Sequence, residues 1–443
     1  MRELHLNAYI RNSGHHRGAW RLPVSRSPVA GDIGHLRRLA EIAERGRLDA
    51  LFVADGVELL DGIEHSELDG LEPTVMFAAL AATTEHVGLI GTMSTSFNSP
   101  YNLARRLASL DHVSGGRAGW NIVTSSTPGS AANFGGAPTS HAERYRRAEE
   151  FVEVALALWD SWDDDARVVD KGTGVYVDTS RIHAVDHHGE HYDVAGALNV
   201  SRSPQGRPLL VQAGTSEPGR RLAARYAEAV FTAQPTLPEA QAFYADLKRR
   251  AAEVGRDPDH VLVLPGINLT LGSTVAEATA RRQELDELIS IEGALEELNV
   301  LAGVDLRDVP LDEPIRSLPS VDEIESNKSR FMIVKESALR ERLTPREVAK
   351  RFVSGGGHPG VVGTPEQVAD VLVEWFEGRG ADGFNLMGSV LPLDLELFVE
   401  HVVPLLVQRG VFRSEYTGST LRENYGLPPV ISDAVGAGVG GRS

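Results

Sequence analysis

Ser114-Gly-Gly-Arg-Ala-Gly-Trp-Asn-Ile-Val-Thr-Ser125 reads as a helix exit, a tight Gly-Gly turn and a buried strand that ends in polar side chains. That order places polar chemistry at the carboxyl end of a strand. A second stretch, Pro208-Leu-Leu-Val-Gln-Ala-Gly-Thr-Ser-Glu-Pro-Gly219, repeats the plan and runs directly into a helix start. Outward from these two, short apolar runs alternate with longer helical patterns along almost the whole chain, as in repeated βα units around a parallel sheet. Strands are expected at Leu4 to Ile10, Ala50 to Asp55, Val87 to Thr95, Ala118 to Ser125, Leu209 to Ala213, Ala229 to Gln234, Val261 to Thr270 and Gly383 to Met387. Helices are expected at Gly34 to Arg47, Pro73 to Thr84, Leu103 to Val113, His141 to Trp162 and Thr364 to Arg379. Thr364-Pro-Glu-Gln367 carries a Thr cap, a Pro at the first helical position and a Gln three residues after the cap. Eight strands are what an α/β fold of the (β/α)8 TIM-barrel type requires. A doubly wound sheet with an appended domain would produce the same alternation.

The barrel is expected to fill residues 1–430 as one unit with two rim insertions. The first, about 163–207, has the look of a hairpin in Val175-Tyr-Val and His187-His-Gly-Glu-His191. The second, about 275–362, has helical patterns of its own and a Gly355-Gly-Gly-His-Pro-Gly360 loop. Insertions on this rim shape substrate access, because the active face of such a barrel is built from βα loops. Residues 431–443 are too small and Gly-rich to pack and are expected to form a flexible tail.

The 443 residues, 42% of them hydrophobic, can bury a large core. A net charge of −18 argues against a nucleic-acid partner, which needs a concentrated basic surface. Basic runs such as Arg105-Arg106 and Arg144-Tyr-Arg-Arg147 read as solvated helix faces. There is no Cys, so disulfides, thiolate nucleophiles and Cys-ligated metals are excluded. Neither a signal peptide nor a run of about 18 apolar residues is present, so the expectation is a cytoplasmic protein with no membrane partner.

Gly214-Thr-Ser216 sits where a strand gives way to a helix, so free N–H groups and two hydroxyls converge as they do around a phosphate. An ordinary βα turn with a Ser cap has the same sequence. His141 and Tyr145 are four residues apart at a helix start and share a face, which suits a phosphate or ribityl chain, or a cap with Tyr packed in the core. Asp55 follows four apolar residues, where a carboxylate needs partners. It could orient a bound ring or cap a turn. Thr92 and Asn121 close the third and fourth strands, and the Asn amide could hold a heteroaromatic edge or donate to a developing oxygen anion. The adjacent pairs His15-His16 and His187-His188 point apart on a strand, and no His-Glu-x-x-His helix occurs, so no metal site is expected. No nucleophile elbow and no Gly-x-Gly-x-x-Gly dinucleotide fingerprint is present.

The blocks Asn12-Ser-Gly-His-His-Arg-Gly-Ala-Trp-Arg21, Asn98-Ser-Pro-Tyr-Asn-Leu-Ala-Arg105, Leu110 through Ser125, Glu190-His-Tyr192 and Gln212-Ala-Gly-Thr-Ser216 resemble the bacterial-luciferase-like two-component monooxygenases. The likeness is to the branch with the nitrilotriacetate, dibenzothiophene-sulfone and long-chain alkane enzymes. It implies a (β/α)8 barrel that receives reduced FMN from a separate NAD(P)H-dependent flavin reductase. One oxygen atom from O2 is then inserted into a small organic substrate through a flavin peroxide, at N5 or C4a. Carried over residue by residue, it implies FMN contacts at Asp55, Thr92, His141, Tyr145 and Ser216, with Ser125, Ala213, Gly214 and Thr215 in the same set. Asn121 and Thr92 would be the catalytic pair facing O2. A homodimer or homotetramer is implied as well. The alternatives on the same barrel are a deazaflavin-dependent hydride-transfer oxidoreductase and a non-catalytic flavin-binding protein. Relatives oxidise aminopolycarboxylates, sulfones, pyrimidines, S-alkylated cysteines and alkanes, so the substrate stays open. An anionic one would need cations at the mouth, for which Arg17, Arg21 and Lys328 are available.

Overall fold

The computed structural model describes residues 2–25, 31–59, 63–65, 67, 70–324, 328–353, 355 and 357–431. Eight parallel strands close into a barrel: β1 (His5–Tyr9), β2 (Ala50–Val53), β3 (Gly88–Ser94), β4 (Ala118–Val123), β5 (Leu209–Gln212), β6 (Ala229–Thr232), β7 (Leu262–Leu271) and β8 (Gly383–Gly388). Each strand pairs with the next in chain order, and β8 pairs back onto β1. All eight expected strands are present, with ends displaced by one or two residues. Closure removes every barrel edge and rules out the doubly wound alternative. A further strand, Gly360–Gly363, pairs in parallel with β7 outside the barrel. Sequence reading missed it because four residues beside a glycine-rich loop carry no periodicity.

Helices α1 (Ile33–Arg45), α2 (Pro73–Ala81), α3 (Pro100–Ser114), α4 (His141–Trp159), α5 (Glu217–Tyr226), α6 (Leu237–Glu253), α7 (Pro365–Glu377) and α8 (Val403–Gln408) follow the strands. Helix α3 starts three residues before the expected Leu103 because Pro100, after the Ser99 cap, suits a first turn whose N–H is unpaired anyway. The capping box at Thr364 and Gln367 forms as expected. Gly115 (φ +70°) ends α3 in the left-handed region, and Gly116 (φ +93°) continues the turn. A Cβ on Gly116 would lie 2.7 Å from Thr420 Cγ2, so the Gly-Gly pair is required by both conformation and contact.

That contact belongs to a C-terminal segment that closes the amino end of the barrel. Leu421 and Tyr425 pack with Tyr9, Phe52, Ile90, Val211 and Leu264 inside it. The Tyr425 hydroxyl donates to Asn7 Oδ1 at 2.6 Å, Asn7 Nδ2 to Asn385 Oδ1 at 3.1 Å, and Asn385 Nδ2 to the Leu264 carbonyl at 2.8 Å. With that end sealed, only the carboxyl ends of the strands remain for chemistry.

Two short antiparallel hairpins lie between α4 and β5: Arg167–Asp170 with Val175–Val177, and His187–His188 with Asp193–Val194. Four helices lie between β7 and α7, at Val275–Glu287, Ile291–Ala302, Lys328–Glu341 and Pro345–Val353, and the last three share a core of their own around Leu298, Phe331 and Ala349. This helical group is tied to the β1 loop by His16 Nε2 to Asp286 Oδ1 at 2.9 Å and by the Arg17–Glu297 ion pair. Of the expected tail, residues 432–443 lie outside the described residues. Among the described residues no helix is long and apolar enough to cross a membrane.

Candidate active site

Thr92 and Asn121 face each other across β3 and β4, in register and each 3% exposed. Each lies two residues inside its strand rather than at the end, because both strands continue to Ser94 and Val123. Thr92 Oγ1 donates to the Val53 carbonyl at 2.8 Å, and Asn121 Nδ2 donates to Thr92 Oγ1 at 2.8 Å. Since the Thr92 proton is committed to a carbonyl, the amide must present its nitrogen to that hydroxyl, which fixes its orientation. Asn121 Oδ1 is then buried with no hydrogen-bond partner among the described residues. The amide donation considered from the sequence thus spends one N–H on Thr92, and the unsatisfied atom is an acceptor.

Above this pair, Ser125 (φ +26°) donates to Ser94 Oγ at 2.8 Å. It lines a cavity of about 390 Å³ together with Ser96, Asn98, Thr127, Arg144 and Arg147. Arg144 and Arg147 are therefore part of a cavity wall rather than solvated throughout. The wall includes Pro138 and Thr139, just before the start of α4.

At that start, Ser140 caps the helix and His141 occupies its first turn. One turn on, the Tyr145 ring lies 4.9 Å from the His141 ring and is 9% exposed. Tyr145 reaches the end of β5: a Cβ on Gly214 would lie 2.7 Å from its hydroxyl and 2.4 Å from Gln212 Nε2. Ser216 caps α5, accepting from Gly219 N at 3.3 Å. The fold therefore brings Tyr145 together with Ala213, Gly214, Thr215 and Ser216, which are all half-buried. Tyr145, one turn into α4, thus stands beside the start of α5, whose free N–H groups and positive end suit a bound anion.

Asp55 stands in the loop beyond β2, which ends at Val53, so it does not close the strand as expected. It is open to solvent on one side. Partial burial first, and then the charge of Glu72, push its carboxyl up to about 6.

Sequence reading missed an aromatic group in the same mouth. Tyr9, Phe52 and Phe231 meet edge to face with centroids 5.2 to 5.7 Å apart. His15 abuts Tyr9 at 4.3 Å, and His358 stacks on Phe231 at 5.2 Å. Their signal was an aromatic near the end of β1, β2 and β6, which in isolation is indistinguishable from core. The paired histidines do diverge, but His15 and His16 do so in a loop: His15 Nε2 bonds the Tyr9 carbonyl at 2.8 Å and His16 bonds Asp286. Of the cations expected at the mouth, Arg17 is held by Glu297 and Arg21 donates to the Leu288 carbonyl at 2.7 Å. The Lys328 side chain lies outside the described residues.

A closed parallel barrel with polar clusters gathered at the carboxyl ends of β3, β4 and β5 defines a TIM-barrel enzyme. The family model described as luciferase-like monooxygenase matches residues 11–383, and the chain belongs to that family. It is 46% identical over 435 residues to the N-acetyl-S-(2-succino)cysteine monooxygenase of Bacillus subtilis (strain 168), covering 97% of this chain and 98% of that one. It is 42% identical over 441 residues to nitrilotriacetate monooxygenase component A of Aminobacter aminovorans, covering 96% and 97%. Among solved structures, a riboflavin lyase with modified FMN and riboflavin superposes with a TM-score of 0.85 at 33% identity, covering 96% of both chains. The chain is accordingly an oxidoreductase of the monooxygenase kind, as its motifs imply.

Proposed function

We propose that this enzyme takes reduced FMN from a separate NAD(P)H-dependent flavin reductase and uses O2 to place one oxygen atom in a small organic substrate. The observation that carries the reading is the buried, unpartnered Oδ1 of Asn121. Burying an acceptor without a donor is costly, so the site favours a ligand that brings one. Reduction gives the FMN ring an N–H at N5 that the oxidised ring lacks, which fits this acceptor to the reduced form. When bound, reduced FMN supplies the electrons with which O2 is split between substrate and water.

In this reading, the residues of the chain bind and orient. Tyr145, Ser216 and the N–H groups at the start of α5 hold the phosphate, and Gly214 keeps the backbone low enough for Tyr145 to reach it. His141 adds a ring donor at the start of α4. Thr92 fixes the Asn121 amide, and Ser125 and Asp55 flank the ring. The apolar rings of Tyr9, Phe52 and Phe231 keep the mouth dry, which strengthens each polar contact made there. The lack of a dinucleotide fingerprint supports a separate reductase, as does the name of the relative called component A. The riboflavin lyase solved with modified FMN supports the choice of flavin. We place the enzyme, on the same reading, in the cytoplasm as a homodimer or homotetramer.

The test follows NADH and O2 with FMN present, with and without an added flavin reductase. The expected result is no NADH oxidation by the pure protein, and 18O from 18O2 in the product once a reductase and N-acetyl-S-(2-succino)cysteine are supplied. Sustained NADH turnover without reductase would refute the two-component reading.

A further inference from the structure

Arg11 lies just beyond β1, on a loop that is fixed from several sides. His15 N donates to the Gly388 carbonyl at 2.9 Å and Leu391 N to the Ser13 carbonyl at 2.7 Å. Gly14 (φ +132°) approaches Ser389 so closely that a Cβ would stand 2.2 Å from its carbonyl oxygen. The loop therefore presents Arg11 at the rim of the aromatic mouth with little freedom to move. Arg11 is half-buried and makes no hydrogen bond or ion pair among the described residues. Its charge acts on the buried His15 and Arg17 beside it.

The other cationic and potentially cationic side chains of this loop are accounted for. Arg17 forks onto Glu297, with Nε to Oε2 at 2.8 Å. Burial, and then Arg11 itself, hold the imidazole of His15 well below its ordinary pKa and therefore neutral. His16 is bonded to Asp286. Glu67, which reaches the same loop, accepts from both the backbone N and the hydroxyl of Ser13. In a chain of net charge −18, Arg11 thus stands beside the aromatic rings, which suit an organic body, without a counter-charge among the described residues, whereas Arg144 and Arg147 on the neighbouring cavity wall bond the Thr139 carbonyl and the Tyr192 hydroxyl. A partly buried arginine with no anion beside it is open to one brought by a ligand, and its planar fork matches a carboxylate.

We propose that Arg11 receives a carboxylate of the substrate, so that this enzyme acts on an organic acid rather than on a neutral alkane, sulfide or sulfone. The inference rests on the monooxygenase reading for the identity of the mouth as the substrate site. Arg11 is then the residue that sets specificity, while Arg17 and Glu297 hold the rim.

The test is calorimetric titration of the wild type, Arg11→Met, Arg11→Lys and Arg21→Met with two probes, N-acetyl-S-(2-succino)cysteine and its fully methylated ester. Anaerobic titration with reduced FMN runs in parallel on every variant. The wild type is expected to bind the acid more tightly than the ester. Arg11→Met should weaken the acid by about 10- to 100-fold, as loss of a hydrogen bond to a charged group does. Arg11→Lys should recover part of that loss, Arg21→Met should match the wild type, and reduced-FMN affinity should stay constant as the check on folding. Equal binding of acid and ester, an unchanged acid affinity in Arg11→Met, or no binding of the acid to the wild type would each overturn the inference. Failure of reduced FMN to bind the wild type would instead strike the monooxygenase reading, and the acid titrations would still decide whether Arg11 binds a carboxylate.

Discussion

Gly214→Ala should disable the phosphate cradle without removing a polar group. The new Cβ would stand 2.4 Å from Gln212 Nε2, 2.7 Å from the Tyr145 hydroxyl and 3.2 Å from Gly219 Cα. Ordinary contact begins at 3.4 Å, so the hydroxyl must withdraw by about 0.7 Å. Gln212 can swing its amide aside. Tyr145 has less room, since its ring is packed among Ala148, Phe151, Leu210 and Leu222. Overpacking of this kind costs roughly 1 to 3 kcal/mol of stability. If Tyr145 bonds the phosphate, its displacement also forfeits a charge-assisted hydrogen bond worth about 1.5 to 3 kcal/mol, or about 10- to 100-fold in affinity. The assay is anaerobic titration with reduced FMN beside urea unfolding of the same samples. Gly214→Ala/Tyr145→Phe separates the two effects, because deleting the hydroxyl relieves the clash without restoring the bond. The double variant should regain stability and remain a weak binder. Wild-type affinity in Gly214→Ala, or recovered affinity in the double variant, would refute the cradle.

Asn121→Ala should lower the preference for reduced over oxidised FMN by about 2- to 10-fold, the worth of one neutral hydrogen bond, and should divert turnover to hydrogen peroxide. Counting peroxide and product per reduced FMN consumed checks this, and wild-type coupling would make Asn121 structural. Because the Asp55 carboxyl is raised to about 6, ionising it lowers the stability of the flavin-free protein. That cost is absent below the ordinary carboxylate pKa and complete once the pH has passed 6, so Asp55→Asn should raise the melting temperature at neutral pH and leave it unchanged in acid. Arg413→Met would leave Asp49, a 0%-exposed carboxylate held at 2.7 Å by Arg413 Nη2, with only His5 and the Leu6 N–H as partners, and should cost about 3 to 5 kcal/mol in urea unfolding. Arg413 and His5 overcome the effect of burial to hold the Asp49 carboxyl below its ordinary range, so this contribution is complete above that range and should be lost from the wild type as the pH falls below it, while Arg413→Met should show a flatter acid limb.

The barrel was legible because its signals are local. Each strand is an apolar run bounded by turn residues, Gly115-Gly116 announces its own left-handed turn, and Thr364 to Gln367 spells out a cap. The polar cluster of Tyr145, Gly214 and Ser216 was legible for a related reason, since each residue sits at an element boundary whose free N–H groups advertise a site. The aromatic mouth was not. Tyr9, Phe52 and Phe231 are joined only by barrel closure, and along the chain each resembles any buried ring. Arg11 was passed over for Arg17 and Arg21 because sequence shows that a residue is cationic and not whether Glu297 or the Leu288 carbonyl already holds it. The orientation of the Asn121 amide is likewise a product of tertiary packing, set by Thr92 on the neighbouring strand and, through it, by Val53 on the strand beyond.

If the cradle and the Asn121 acceptor together select reduced FMN, anaerobic titration of the wild-type protein with reduced FMN, oxidised FMN and a reduced deazaflavin should give saturable binding of reduced FMN, with a lower dissociation constant than either of the others. Tighter binding of oxidised FMN or of the deazaflavin would contradict that selection.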